Sequence, residues 1–133
     1  MEDEIEKLKE YGYDLIDELK VPPYTMLLLY NKEYNVYEIS LTTGDDEFTT
    51  FDSQKTKSPS HRSNYIRIMK LLMERVTSWL SNYGELFVGS FNKERTYKYH
   101  RIFKRMGFKT TEIEYNNNEL NNFPDSYDFK IVK

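Results

Sequence analysis

Six cations and one tyrosine are spaced along a single predicted helix in the carboxyl-terminal half of the sequence. In chain order they are Lys93, Arg95, Tyr97, Lys98, Arg101, Lys104 and Arg105. Lysine and arginine bind phosphates and carboxylates through charge and hydrogen bonds. These residues therefore predict a surface for an anionic partner, either nucleic acid or an acidic host or cellular protein. The plainer interpretation is a solvated helix that carries many cations.

The predicted basic helix belongs to a basic central region. Residues 54–109 contain thirteen Lys and Arg against three acidic residues, although the whole chain has a net charge of -3. The centre therefore carries +10 and the remainder of the chain -13. These opposite charges could neutralise each other within the fold, or the centre could present an exposed basic face that attracts phosphates, nucleic acid or an acidic partner.

The composition excludes other kinds of chemistry. The sequence has no cysteine, which rules out disulfides, thiolate metal ligands and a cysteine nucleophile. Its two histidines, His61 and His100, do not stand at zinc-ligand spacing. We therefore expect no metal site and interpret both histidines as surface or capping residues.

Length and hydropathy predict the class of protein. We expect a single domain over residues 1–133, long enough to bury one core. The amino end is acidic, and the longest wholly apolar run, Met26 to Leu29, is far too short to span a bilayer, so we expect a cytoplasmic protein with no membrane partner. Alanine is absent while Asn, Lys and Tyr are abundant, a bias that fits an AT-rich coding sequence such as that of a phage.

The first half of the chain is predicted to contain two short helices and a meander. The spacing of apolar residues predicts the helices at Glu2 to Tyr11 and Tyr13 to Lys20, with a break at Gly12. Three antiparallel strands follow, because β-branched and aromatic residues alternate with turn residues. The strands are Tyr24 to Tyr30, Val36 to Thr43 and Glu47 to Phe51, and Asn31 to Asn35 forms the first hairpin turn.

The second half is predicted to alternate helices and strands. Its elements are a polar loop Gln54 to Arg62, a long helix Ser63 to Asn82, a strand Leu86 to Phe91, a helix Lys93 to Met106, a strand Phe108 to Tyr115, an Asn-rich loop Asn116 to Asn122 and a strand Tyr127 to Val132. The predicted fold class is α+β, with a mixed and mostly antiparallel sheet of about six strands.

The run from Leu86 to Phe108 has a distinctive order of elements. A short apolar strand is followed by Asn92, then by a helix and the pair Gly107-Phe108. This order resembles the carboxyl half of the GNAT superfamily of acyl-CoA N-acyltransferases. The order of elements along most of the chain is also similar to that family with its first strand missing. The resemblance implies a three-layer GNAT-like domain, and acetyl-CoA as the cofactor if the protein is active.

The resemblance also implies a pyrophosphate cradle at the start of the long helix. In the family the cradle reads Gln/Arg-x-x-Gly-x-Gly/Ala, and its glycines let backbone amides approach the phosphates. The matching positions here run from Ser60 to Tyr65 and contain neither glycine. Ser60, Arg62 and Ser63 could hold a phosphate in a changed pose, and Asn92 is the remaining cofactor-binding candidate.

Two catalytic groups of the family have weak counterparts. Many members use as general acid a tyrosine four residues before the Gly-Phe glycine, and this position is Phe103, which has no proton to give. Tyr99 lies one turn earlier and is the substitute candidate, although a core role explains it better. The general base would be Glu47 by position, or Asp45 or Asp46, and an ordinary turn explains all three better.

Two functions from different classes follow. The first is a catalytically degenerate GNAT-fold protein that uses no cofactor and binds an anionic partner through its basic helix. The second is an active N-acyltransferase that transfers an acyl group from acyl-CoA to an amine. In the second case the pantetheine arm would lie in a splayed cleft between the strands Glu47 to Phe51 and Leu86 to Phe91. The two losses in cofactor chemistry favour the first.

Overall fold

The computed structural model of the chain is an α+β fold with one mixed sheet. It describes residues 6, 9–22, 24–43, 59–117 and 125–133, with only the backbone at 43 and 59–63. This part of the chain contains seven strands and two helices. The elements are β1 (Tyr13–Val21), β2 (Tyr24–Asn31), β3 (Val36–Thr43), α1 (Pro59–Tyr83), β4 (Glu85–Ser90), α2 (Lys93–Arg105), β5 (Lys109–Thr110), β6 (Glu114–Asn116) and β7 (Ser126–Val132).

The sheet is mostly antiparallel, with one parallel pair at its centre. Its strand order is β1-β2-β3-β4-β7-β5, and β6 also pairs with β7. The first three strands form an antiparallel meander. The helix α1 then crosses over the sheet, so that β4 lies parallel to β3. The helix α2 makes a second crossover, after which β7 inserts between β4 and β5.

The parallel pair is unusually short. Strands β2 and β3 pair along all eight residues of β3. In contrast, β3 and β4 pair only at Glu38↔Phe87 and Ile39↔Val88. Beyond Ile39 the two strands are not paired with each other in the described sheet. The backbone groups of β3 that face β4 in this part of the strand therefore need another hydrogen-bond partner.

Both helices pack against the same face of the sheet. Helix α1 directs a stripe of buried residues at helical spacing toward the sheet, namely Ile68, Leu72, Val76 and Trp79. It ends where Gly84 takes a positive φ of 84° and donates its N–H to the Leu80 carbonyl at 2.8 Å. The core cluster joins residues of both helices to Met26, Leu28, Ile39, Leu41, Leu86, Val88, Phe129 and Ile131 of the sheet. No helix of the described residues is long and apolar enough to cross a bilayer.

A hydrogen-bonded carboxylate fixes α1 to the edge of the sheet. Asp17 Oδ2 of β1 accepts hydrogen bonds from Arg75 Nη1 and from Trp79 Nε1, each at 2.9 Å. Burial acts to raise the pKa of Asp17, but the hydrogen bonds from Trp79 and from the Glu18 backbone, together with the Arg75 guanidinium, hold it below its usual value. The ionised form of Asp17 therefore stabilises the fold.

The prediction of a helix from Tyr13 to Lys20 is wrong, because these residues form β1. Ile16 lies in a bulge between the pairs Leu15↔Leu29 and Asp17↔Leu28. The bulge places Leu15 and Leu19 on opposite faces of the strand, so the period-two alternation is lost and the apolar spacing imitates a helix. Four residues of the predicted helix Glu2 to Tyr11 are described: Glu6, Lys9 and Glu10 are helical, and Tyr11 lies in a turn.

Three further boundaries differ from the predictions. The long helix begins at Pro59 and not at Ser63, so the end of the predicted loop Gln54 to Arg62 is its first turn, where a proline is well tolerated. The predicted strand Phe108 to Tyr115 is split into β5 and β6, because Thr111 Oγ1 accepts the Lys130 N–H at 2.8 Å in place of a regular ladder. The predicted loop Asn116 to Asn122 starts one residue too early, because Asn116 is the last residue of β6. The predicted strand Glu47 to Phe51 lies outside the described residues.

Replacing Asp17 with asparagine should destabilise the protein by about 1–2 kcal/mol at neutral pH. Hydrogen bonds to charged groups contribute about 1.5–3 kcal/mol, and the partial exposure of this carboxylate reduces that contribution. Urea unfolding across a pH series measures the effect. Because the folded pKa is lowered, the difference from wild type should be full above the unfolded pKa of about 3.9 and should disappear as pH falls through the folded pKa.

The matched control is Asp14→Asn, which removes another carboxylate of β1. Asp14 pairs with Lys32 at 3.2 Å with both side chains well exposed, so its loss should cost less than about 1 kcal/mol. Equal effects of the two substitutions would contradict the role given to Asp17.

Candidate anion-binding surface on the second helix

The start and end of α2 are fixed by local hydrogen bonds. Asn92 is the N-cap, with an extended backbone and a side-chain Oδ1 that accepts the Arg95 N–H at 3.0 Å. At the other end Gly107 takes a φ of 92°, and the Phe108 N–H donates to the Phe103 carbonyl at 3.2 Å. The side chain that the sequence suggested for cofactor binding, Asn92, therefore has a capping role in this structure.

The inner face of α2 is part of the core. Its buried residues are Thr96, Tyr99, Ile102 and Phe103. Thr96 is fully buried and donates a hydrogen bond from Oγ1 to the Tyr127 carbonyl of β7 at 2.9 Å. Ser90 Oγ of β4 lies 2.7 Å from the same hydroxyl. These contacts attach the first turn of α2 to the two strands beneath it.

Tyr99 connects α2 to β3 where β3 and β4 have separated. Its hydroxyl donates a hydrogen bond to the Leu41 carbonyl at 3.1 Å, and the side chain is buried. Leu41 lies two residues beyond Ile39, the last residue of β3 that pairs with β4. The hydroxyl of Tyr99 therefore satisfies a carbonyl that β4 does not reach. The Tyr99 hydroxyl is therefore used in a structural hydrogen bond.

Phe103 and His100 also have structural positions. Phe103 is fully buried, with its ring centroid 6.4 Å from that of Phe108 and 6.3 Å from that of Phe129. His100 is half-buried: its Nε2 lies 2.9 Å from the Thr111 carbonyl, and its ring meets Phe129 edge-on. His100 thus joins α2 to the segment after β5, rather than standing at the surface.

The outer face of α2 carries the predicted cations. Five of the six are exposed, and Lys98 is half-buried. Lys93 Nζ lies 6.0 Å from the ring centroid of Tyr97, whose side chain is 53% exposed. The residues that line a shallow, open groove along this face are Lys93, Glu94, Tyr97, Lys98, His100, Arg101, Lys104 and Arg105. The structure thus brings six of the seven predicted partner-binding residues to one groove, whereas Arg95 is exposed but does not line it.

Charge is concentrated on this helix. Its 13 residues include six cations and one acid, Glu94, which lies in the first turn. Two of the cations, Lys104 and Arg105, lie in the last turn, where they complement the helix dipole, whereas Lys93 and Arg95 flank Glu94 in the first turn and oppose it. The arrangement can bind several phosphates or carboxylates together, with an aromatic ring among the cations.

The opposite face of the sheet contains an acidic cluster that the sequence did not reveal. Tyr13 of β1 hydrogen-bonds Glu38 of β3, and Asp128 of β7 lies close enough to interact with Glu38 electrostatically. Burial and the Asp128 charge raise the pKa of Glu38, although the Tyr13 hydrogen bond acts to lower it. The pKa of Tyr13 is raised by its burial and by Glu38.

A glycine makes room for this cluster. A Cβ at Gly89 would stand 1.8 Å from Asp128 Oδ1 and 2.8 Å from the Tyr127 carbonyl oxygen. The isolated glycine within a predicted strand was the one sequence signal of a close approach here. Asp128, which lies beside Gly89 and interacts with Glu38, is far from both in the chain, so local residue spacing did not indicate the cluster.

The other predicted site residues are not brought together by the described part of the chain. Ser60, Arg62 and Ser63 lie in the first turns of α1, and their side chains are outside the description. Glu47 also lies outside the described residues, as do Asp45 and Asp46. No group of three His, Asp or Glu in the described ranges is placed to hold a metal ion.

The sequence matches no protein-family model and no curated protein.

Replacing Tyr99 with phenylalanine should cost about 1–3 kcal/mol of unfolding free energy, because the Leu41 carbonyl would be left buried without this donor. Urea unfolding measures the cost. The control on the same helix is Tyr97→Phe, which removes an exposed hydroxyl and should change stability by less than about 0.5 kcal/mol. A Tyr99 variant as stable as the control would show that the hydrogen bond to β3 contributes nothing.

Proposed function

We propose that this chain is a catalytically degenerate GNAT-like protein that binds an anionic macromolecule through the outer face of α2. The observation that carries the proposal is the division of α2 into two faces. The inner face is engaged in the core through Thr96, Tyr99 and Phe103. The outer face presents exposed cations along a groove.

The distribution of charge supports a partner outside the chain. The carboxylates of Asp14, Asp17, Glu18 and Glu85 pair with Lys32, Arg75, Lys20 and Lys130, all outside α2. Four of the seven carboxylates on the described strands are thus paired with cations outside α2. Cations grouped on one exposed helix attract polyanions at long range and hold them through several contacts.

The order of elements supports the GNAT-like part of the proposal. The resemblance calls for two helices, three strands, a long helix, a strand, another helix and two final strands. Elements β1 to β3, α1, β4 and α2 follow that order, and β5 to β7 complete the sheet. The described strands before the long helix are β1, β2 and β3, of which β1 replaces the predicted second helix; the predicted third strand, Glu47 to Phe51, lies outside the described residues.

Three features support loss of acyl transfer. Neither cradle glycine is present between Ser60 and Tyr65. The position of the family's usual acid is Phe103, which is fully buried. The substitute acid, Tyr99, donates a hydrogen bond from its hydroxyl to the Leu41 carbonyl. A buried phenol bonded to a backbone carbonyl is poorly placed to protonate a leaving thiolate.

The second candidate is an active N-acyltransferase that uses acetyl-CoA, and one observation favours it. The parallel strands β3 and β4 separate after two residue pairs. The sequence-based hypothesis associated a splayed cleft of this kind with the enzyme, although it placed the cleft beside Glu47 to Phe51. The strand beside β4 is β3, so an acyl group would approach the separation beyond Ile39 and Val88. Glu38 pairs with Phe87 beside this position, and burial raises its pKa, so it is the candidate base.

Neutralising the outer face should weaken binding to polyanions. The variant carries Lys93→Gln, Arg101→Gln and Lys104→Gln, and the probes are labelled DNA and labelled polyglutamate in fluorescence anisotropy. We expect at least tenfold weaker binding of the probe that wild type binds. The slope of log K against log salt should fall by about 2, because each phosphate contact contributes about 0.7–0.9.

The matched control carries Lys20→Gln, Lys32→Gln and Lys133→Gln, which remove the same charge from other elements. Lys20 and Lys32 already pair with Glu18 and Asp14. This control should bind like wild type apart from a small effect of net charge. Equal losses in the two triple variants, or no loss in either, would contradict a site on α2.

Isothermal titration with acetyl-CoA separates the two candidate functions. We expect no heat and no shift in melting temperature at millimolar ligand, because the cradle glycines are missing and α2 is packed against β3. Micromolar binding of acetyl-CoA would overturn the cofactor-free proposal and favour the enzyme.

A further inference from the structure

We infer that the outer face of α2 selects single-stranded nucleic acid over other polyanions. This inference depends on the proposed function, because it identifies the partner of the same surface. The observation behind it is two exposed aromatic rings, Tyr97 within the row of cations and Phe91 two residues before the first of them. Phe91 is 63% exposed and Tyr97 is 53% exposed. Rings of this kind offer flat faces on which unpaired bases can stack.

Tyr97 lies within the row of cations. Lys93, Tyr97, Arg101 and Arg105 recur every four residues of α2 and therefore share one side of the helix. Neighbouring members of the row are offset by about 6 Å along the helix axis. The Lys93 ammonium lies 6.0 Å from the centroid of the Tyr97 ring. A base stacked on Tyr97 would thus have a cation beside it for its phosphate.

Phe91 is the second exposed ring and lies just before the amino end of α2. The chain on either side of it is held in place, because the Asn92 N–H donates to Ser90 Oγ at 3.2 Å and Asn92 caps the helix. Phe91 follows β4 directly and precedes the first cation of α2 by two residues. Because the Phe91 ring is large, apolar and exposed to water, covering it with a base is favourable.

The aromatic rings distinguish between classes of polyanion. Bases in a duplex are stacked on one another and cannot cover a protein ring without being unpaired. An acidic protein surface supplies carboxylates, which use the cations but gain nothing from stacking. A single strand supplies both phosphates and free base faces. The combination of cations with two exposed rings therefore fits a single strand best.

The test compares three labelled probes in fluorescence anisotropy at one salt concentration. They are a mixed-sequence single strand of about 12 nucleotides, the corresponding duplex and polyglutamate. Wild type should bind the single strand at least tenfold more tightly than the other two. The variants Phe91→Leu and Tyr97→Leu keep apolar bulk but lose the ring, and each should weaken single-strand binding by about tenfold. Binding of duplex and polyglutamate should stay within twofold of wild type.

Two controls separate stacking from folding and from general loss of aromatic surface. Tyr97→Phe keeps the ring and should bind the single strand like wild type. Tyr34→Leu removes a tyrosine that is 62% exposed in the turn between β2 and β3, and it should have no effect. Melting temperatures within a few degrees of wild type show that each variant is folded.

The outcomes distinguish failure of this inference from failure of the proposed function. If polyglutamate or duplex binds as tightly as the single strand, or if the leucine variants bind like wild type, the single-strand inference is overturned. The proposed function then stands as long as the Lys93, Arg101 and Lys104 triple variant weakens binding. If that triple variant binds every probe like wild type, the proposed function fails and the inference fails with it.

Discussion

The short pairing between β3 and β4 is the constraint on which the rest of this structure depends. Two parallel strands that separate after two residue pairs leave backbone groups that must be satisfied by something else. The chain uses α2 for this purpose. The Tyr99 hydroxyl donates a hydrogen bond to the Leu41 carbonyl of β3, and the Thr96 hydroxyl donates one to the Tyr127 carbonyl of β7, on the other side of β4. The helix is therefore held by hydrogen bonds to strands on both sides of β4 as well as by apolar packing.

This attachment divides α2 into a face packed on the sheet and an exposed face rich in cations. Side chains that hold the helix on the sheet cannot also move protons or bind a cofactor without breaking those contacts. The cations on the exposed face of α2 are not among the buried residues of the helix. The helix that presents them has an N-cap at Asn92 and a glycine, Gly107, just after its end. On the proposed account, a fold resembling acyltransferases keeps its architecture while its surface chemistry moves to the outside of one helix.

Sequence alone predicted most of the elements but not how they contact one another. Strands β2, β3, β4 and β7 and both long helices were predicted because their periodicity is regular, and the cations of α2 were correctly placed on one helix. Strand β1 was missed because the bulge at Ile16 destroys its alternation. The bond from Tyr99 to Leu41 spans 58 residues, and Glu38 meets Asp128 across the sheet. Contacts of that range leave no trace in local spacing.

The most direct test of the account is amide chemical-shift mapping of the ¹⁵N-labelled protein during titration with a single strand of about 12 nucleotides. The account predicts that the largest shifts fall on Phe91 and on the outward positions of α2, namely Lys93, Tyr97, Arg101, Lys104 and Arg105. Amides of β3 beyond Ile39 should hardly move, because Tyr99 keeps that region closed. Shifts concentrated at Leu41, Gly89 and Ser90 would place the ligand in the separation between β3 and β4 and contradict the account.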